Sequence, residues 1–156
     1  MAITGISSSP TGQLWAAIVA RVRANTAVMD AVKLAQFYEG RTSDLDKWTT
    51  ATLPAIRFTP QGGGSKWSAE VQHDAPLIVK VELIVNSTTA SDVMDLWWAI
   101  VAVFFPGDNS VLNSLRTYGC YLISMTDPAW DAQSLDDGTR VLAATGAFKF
   151  DQHLNT

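Results

Sequence analysis

Few residues in this chain have the types and spacing that chemistry requires. There are two histidines, His73 and His153, and one cysteine, Cys120. A transition-metal site draws on His, Cys and carboxylate ligands at short spacings. No His-x-x-x-His occurs, and a lone cysteine makes neither an intrachain disulfide nor a Cys-based zinc site. Cys120 lies in the apolar run Tyr118–Ile123, which predicts a small buried hydrophobe rather than a nucleophile. The stretch Gln61-Gly-Gly-Gly-Ser-Lys66 lacks the spacing that sets a lysine beside a phosphate-cradling helix end, so it reads as a hairpin tip. Asp136-Asp137-Gly138 is a turn signal without the alternating ligands of a calcium loop. Asp92 and Asp95 are explained by the positive end of a helix. The expectation is a protein with no catalytic, cofactor-binding or metal site, and not an enzyme.

The bulk properties set the frame for the elements. A chain of 156 residues, 47% hydrophobic and 17% charged, fits one globular domain. The net charge is −4, and the eleven basic residues are spread from Arg21 to Lys149. Binding a phosphate backbone needs a concentrated basic face, so sequence-specific nucleic-acid recognition is not expected. The longest apolar run, Leu96–Pro106, is shorter than the roughly 18 residues of a membrane span. The first ten residues lack the basic and apolar regions of a signal peptide. No membrane association is expected, and synthesis and assembly are placed in a reducing cytoplasm.

Ser9-Pro10 opens a helix whose apolar face is Leu14, Trp15, Ile18, Val19 and Val22, and Ala27–Val32 is a short second piece. Leu34–Tyr38 and Leu53–Phe58 are strand candidates, the second stopped by Thr59-Pro60, with Arg41–Thr52 a polar loop between them. Lys66–His73 and Pro76–Asn86 read as consecutive strands. In the latter Leu77, Val79, Val81, Leu83 and Val85 alternate with Lys80, Glu82 and Asn86. A second main helix begins at the Thr-x-x-Asp box Thr89–Asp92 and ends at Pro106-Gly107. Arg116–Met125 and Thr139–Phe150 are the last strands, joined by an acidic loop holding Asp127, Asp131, Asp136 and Asp137. The predicted fold is a single α+β domain over 1–156, with flexible ends at 1–9 and 152–156. Its mostly antiparallel sheet of about four to six strands packs with two main helices in the order α-β-β-β-α-β-β.

The second helix is more apolar than one buried face requires. At about 100° per residue, Val93, Leu96, Trp97, Ile100 and Phe104 form a core stripe. Met94, Trp98, Val101 and Phe105 form a second ridge, leaving Ser91, Asp92 and Asp95 as the polar sector. The ridge is either covered by the first helix and the sheet or is a subunit interface. Left bare, it would rival the few hundred Å2 that a soluble monomer usually shows, and covering it would contribute on the order of 10 kcal/mol as an upper bound.

The texture of Leu14–Phe105 resembles the tail-terminator (tail-completion, or neck) proteins of long-tailed bacteriophages. It is carried by the helix Leu14–Asn25, the short piece Thr26–Val32, Ala35-Gln-Phe-Tyr-Glu-Gly40 and a polar loop. Leu53-Pro-Ala-Ile-Arg-Phe58, a segment with Trp67 and His73, the strand Leu77–Val85 and the helix Ala90–Phe105 complete it. By element order the likeness extends over residues 10–150. It implies a homo-oligomeric ring, usually a hexamer, seated on the last ring of tail-tube protein. Such a ring ends tube polymerisation and presents a surface for the head connector or neck proteins, with DNA passing through the lumen. The location implied is the tail or neck of the virion. Two other readings stand beside it: another neck or tube-like virion subunit, or a small α+β module binding an apolar ligand.

Overall fold

A computed structural model describes residues 9–33, 36–40, 53–62, 72–86, 89–135 and 138–155. The expected polar loop 41–52, the glycines beyond Gly62 and most of the strand expected over 66–73 lie outside these residues.

Helix α1 (Pro10–Arg23) starts where the Ser9 hydroxyl accepts the Gly12 N–H at 3.0 Å, with Pro10 in the first turn. Leu14, Ile18, Val19 and Val22 form its buried face. Asn25 then caps α2 (Thr26–Ala31), its side-chain oxygen accepting the Val28 N–H at 3.0 Å. The long helix α3 (Ala90–Phe104) opens on Thr89. Its cap hydrogen bond is a backbone one, from the Asp92 N–H to the Thr89 carbonyl at 3.1 Å, in place of a side-chain cap.

The sheet is built around its longest strand. The strands are β1 (Phe37–Glu39), β2 (Ala55–Gly62), β3 (Gln72–Asp74), β4 (Leu77–Val85), β5 (Cys120–Met125), β6 (Ala129–Ser134) and β7 (Arg140–Asn155). All pairings are antiparallel except β1 with β2. Along one side of β7 run β4 and β3 in a single continuous register, from Val85 opposite Leu142 to Gln72 opposite Asn155. Along the other side run β5 and β6, interrupted where Thr126, Asp127 and Pro128 face Gly146 and Ala147. Three residues against two is a bulge, which bends the ribbon and raises its twist.

Side-chain alternation divides the sheet into two faces. Leu77, Val79, Val81 and Leu83 of β4, Ile56 and Phe58 of β2, and Ala144, Phe148 and Phe150 of β7 meet the helices in the main core. Lys80 and Glu82 of β4, Arg57 of β2, and Lys149 and Asp151 of β7 lie on the opposite face. There Glu82 is paired with Arg57 and, at 3.0 Å, with Lys80. At one end of that face Leu53, Ala55, Ile84, Val141 and Ala143 make a second, smaller cluster. Gln152 is the buried polar link between layers. Its side-chain oxygen accepts the Thr11 hydroxyl at 2.9 Å, and its amide donates to the Tyr118 carbonyl at 2.6 Å.

The α+β class and the mostly antiparallel sheet agree with the sequence pattern, and several boundaries differ. β2 runs through Thr59-Pro60 instead of stopping there. Among the described residues, β1 pairs only with Ile56–Phe58, so Pro60 sits on a free edge where a missing N–H is tolerated. The stretch after α3 holds an unexpected helix, α4 (Ser110–Leu115), followed by a 3₁₀ turn (Arg116–Tyr118) where strand was expected. The helix is one and a half turns long, with only Val111 and Leu115 buried, too short for periodicity to reveal. The expected acidic loop contains β6, which raises the strand number to seven. The expected flexible end at 152 onward belongs to β7, because β3 and β5 pair with it from both sides.

Candidate assembly surface

The titratable residues with chemical potential are dispersed. Cys120 is buried, its Sγ 3.7 Å from the Leu122 carbonyl, and burial pushes the thiol up to about 11. His153 Nδ1 contacts Asp74 Oδ1, an arrangement created by the register that sets β3 against the end of β7. The Tyr121 ring stacks on His153 with centroids 3.9 Å apart and planes 10° from parallel, so it offers the imidazole its ring face. Partial desolvation of this exposed side chain, then the carboxylates of Asp151 and Asp74, raise the Tyr121 phenol. His73 pairs with Leu154 through the backbone. Asp92 and Asp95 are exposed at the start of α3. Among the described residues no group of three or more His, Cys, Asp or Glu is placed to hold a metal, and no helix is long and apolar enough to cross a membrane.

Two clefts of the helix layer reach α3. One of about 640 Å3 lies between α1, α3 and α4, bridged by Arg21 Nη2 donating to Ser114 Oγ at 2.6 Å. The other, about 380 Å3, lies beside Asp92, Asp95 and Asn86. Alanines and polar groups dominate both linings, and no aromatic residue of α3 reaches either. An apolar-ligand pocket built from those aromatics is therefore absent from these clefts.

What α3 does present is a sidedness. Val93, Leu96, Trp97, Ile100 and Phe104 lie in the core, where Trp97 stacks on Phe148 at 5.8 Å and Phe104 packs between Phe148 and Phe150 at 5.0 and 5.4 Å. Trp97 comes so near the β7 backbone that only a residue without a side chain fits beneath it. A Cβ at Gly146 would lie 2.9 Å from Trp97 Cζ2. On the adjoining side Met94, Trp98 and Phe105 are 38%, 55% and 39% exposed.

Val101, grouped with that ridge by spacing, is 8% exposed and belongs inside. At about 100° per residue it sits between the core stripe and Trp98, and it falls within the main core cluster. Val103 is also buried, on the side toward α1 and α4. The ridge is thus narrower than spacing alone suggests. With about 150–250 Å2 per large side chain, the three residues leave roughly 300 Å2 bare. Covering this area would contribute about 7 kcal/mol as an upper bound.

The sequence reading missed three further exposed apolar side chains, Tyr121, Leu122 and Trp130. They sit on β5 and β6, the second in a segment whose composition predicts a loop. The detectable signal was local: Trp130 stands among Ala, Asp, Gln and Ser, an odd place for a large ring in a solvated loop.

No protein-family model matches this chain, and no curated protein sequence matches it. Among solved structures, it is similar to a chain in the virion of a native gene transfer agent particle, with a TM-score of 0.47 and 10% sequence identity, covering 94% of this chain and 99% of that one.

Proposed function

We propose that this chain is a structural, non-enzymatic virion subunit that forms a homo-oligomeric ring, a hexamer by the family resemblance, at the end of a phage tail tube. In the tail or neck, after assembly in the host cytoplasm, the ring stops tube polymerisation and offers its other face to head-connector or neck proteins. The observation that carries self-association is the ridge Met94, Trp98 and Phe105. It exposes aromatic surface on a helix whose opposite side is fully committed to the core. Roughly 300 Å2 is less than the about 800 Å2 per partner of a standard interface, so the ridge is the apolar centre of a larger contact. The role at the tube end rests on the order and texture of the elements. The mechanism is geometric: one ring face matches the tube and the other does not accept a further tube subunit. A net charge of −4 suits a lumen through which DNA slides without adhering.

The test mixes the purified chain with its cognate tail-tube protein. Sedimentation velocity reads the assembly state with and without tube, and electron microscopy reads tube length. The expected result is a ring, alone or on the template, that shortens the tubes when added during polymerisation. Filaments of the chain by itself would assign it to the tube-like class instead. Unchanged tube lengths with no bound chain would overturn the capping role.

A further inference from the structure

Among the described residues strand β6 is an outer strand of the sheet, and all six of its side chains are exposed. Its backbone direction follows from hydrogen bonds elsewhere on β7. The Thr126 N–H donates to the Ala147 carbonyl at 2.9 Å, and the Ala147 N–H donates to Thr126 Oγ1 at 3.0 Å. On the other side the Ala75 N–H donates to the Gln152 carbonyl at 2.9 Å. Odd-numbered residues of β7 therefore turn their amides toward β5 and β6, and even-numbered ones toward β3 and β4. Through the pairs Ala129 with Thr145, Asp131 with Ala143 and Gln133 with Val141, the odd residues of β6 are spent on β7. Trp130, Ala132 and Ser134 aim their N–H and C=O groups away from the sheet. The Ala132 N–H is met by the carboxylate of the adjacent Asp131 at 2.9 Å. The strand Ala-Trp-Asp-Ala-Gln-Ser has neither proline nor lysine, residues with which proteins commonly close such an edge.

We infer that β6 pairs antiparallel with β6 of a second copy of this chain, about a two-fold axis through Ala132. Outward-facing residues can bond only to outward-facing residues, so the symmetric registers available centre on Asp131, Ala132 or Gln133. An axis at Asp131 sets two carboxylates directly opposite, which is repulsive. An axis at Gln133 carries Trp130 past the end of the partner strand. The axis at Ala132 engages all three outward residues: Trp130 with the partner's Ser134, and Ala132 with its own copy, whose carbonyl replaces the Asp131 carboxylate on the Ala132 N–H. Asp131 then faces the partner's Gln133, whose amide can donate to the carboxylate. On the helix side of the sheet each indole lies diagonal to the partner's Ala132, which covers part of a ring now 42% exposed. This contact closes on itself and does not use α3, so it stands apart from the ring.

The test is register-specific and is run in the Trp98→Glu chain as well as the parent, which separates it from failure of the ring. Ala132→Cys places two thiols on hydrogen-bonded partners with Cα atoms about 5.5 Å apart, within disulfide range, whereas Ser134→Cys places them four residues out of step. The native Cys120 is buried. Mild oxidation should link the Ala132→Cys chain into dimers and leave the Ser134→Cys chain unlinked. Gln133→Asp should raise the dimer Kd by about tenfold in sedimentation equilibrium, and adding Asp131→Lys should restore it. Equal linking of both cysteine variants, linking of neither, or a Gln133→Asp chain that associates like the parent would each overturn the pairing.

Discussion

Gly146→Ala should destabilise the fold although it adds a single methyl group to a strand. The new Cβ would stand 2.9 Å from Trp97 Cζ2 and nearer still to Cη2, well inside ordinary contact. The indole is fully buried and stacked on Phe148, which Phe104 holds at 5.0 Å, so it has little room to retreat. Overpacking of this kind costs about 1–3 kcal/mol. Alanine recovers roughly 0.5–1 kcal/mol by losing less backbone freedom than glycine in a strand. The net expectation is a loss of about 1–2 kcal/mol, or about 3–6 °C in Tm for a chain of this length. Urea unfolding at fixed protein concentration, followed by circular dichroism, should show a lower midpoint with an unchanged slope. Trp97→Phe removes the ring that the methyl strikes, so Gly146→Ala should cost less in that background. A Gly146→Ala chain as stable as the parent, or an equal cost in both backgrounds, would refute the steric argument.

Three other outcomes follow from the same structure. Trp98→Glu should reduce sedimenting assemblies while leaving circular dichroism unchanged, whereas Trp97→Glu should unfold the monomer; equal unfolding of both would place the ridge inside the core. Burial alone would raise the Glu82 carboxyl, but hydrogen bonds and charge from Arg57 and Lys80 outweigh it and hold the group below its ordinary 4.5. A depressed folded value contributes stability above the unfolded pKa and loses it as pH falls through the folded one. Glu82→Gln should therefore flatten the fall in urea midpoint below about pH 4.5, and parallel profiles would contradict the ion cluster. The buried Cys120 thiol, raised to about 11, should react with a maleimide far more slowly in the native chain than in urea at the same pH. Equal rates would show the thiol to be open to solvent.

Much of the framework is visible in residue spacing because burial of one face imposes a period. The face of α1, the alternation of β4 and the cap at Ser9 are local signals, each carried within a few residues. β6 was hidden for a related reason. Both its faces are exposed, so no apolar alternation marks it, and its acidic composition reads as loop. β7 outran its apolar stretch because partners on both sides hold Asp151, Gln152 and His153 in the ladder.

The candidate surface divides along the same line. The helical repeat of α3 alone sorts its apolar residues by angle, since 3.6 residues per turn is a property of the backbone. It cannot say which angle meets a neighbour. Packing of the whole core placed Val101 inside and left Met94, Trp98 and Phe105 out. Likewise the contact of Asp74 with His153, and the outward amides of Trp130, Ala132 and Ser134, arise from register between strands far apart in the chain. Register is chosen by the whole sheet, because sliding one strand by a residue would turn each of its side chains to the other face.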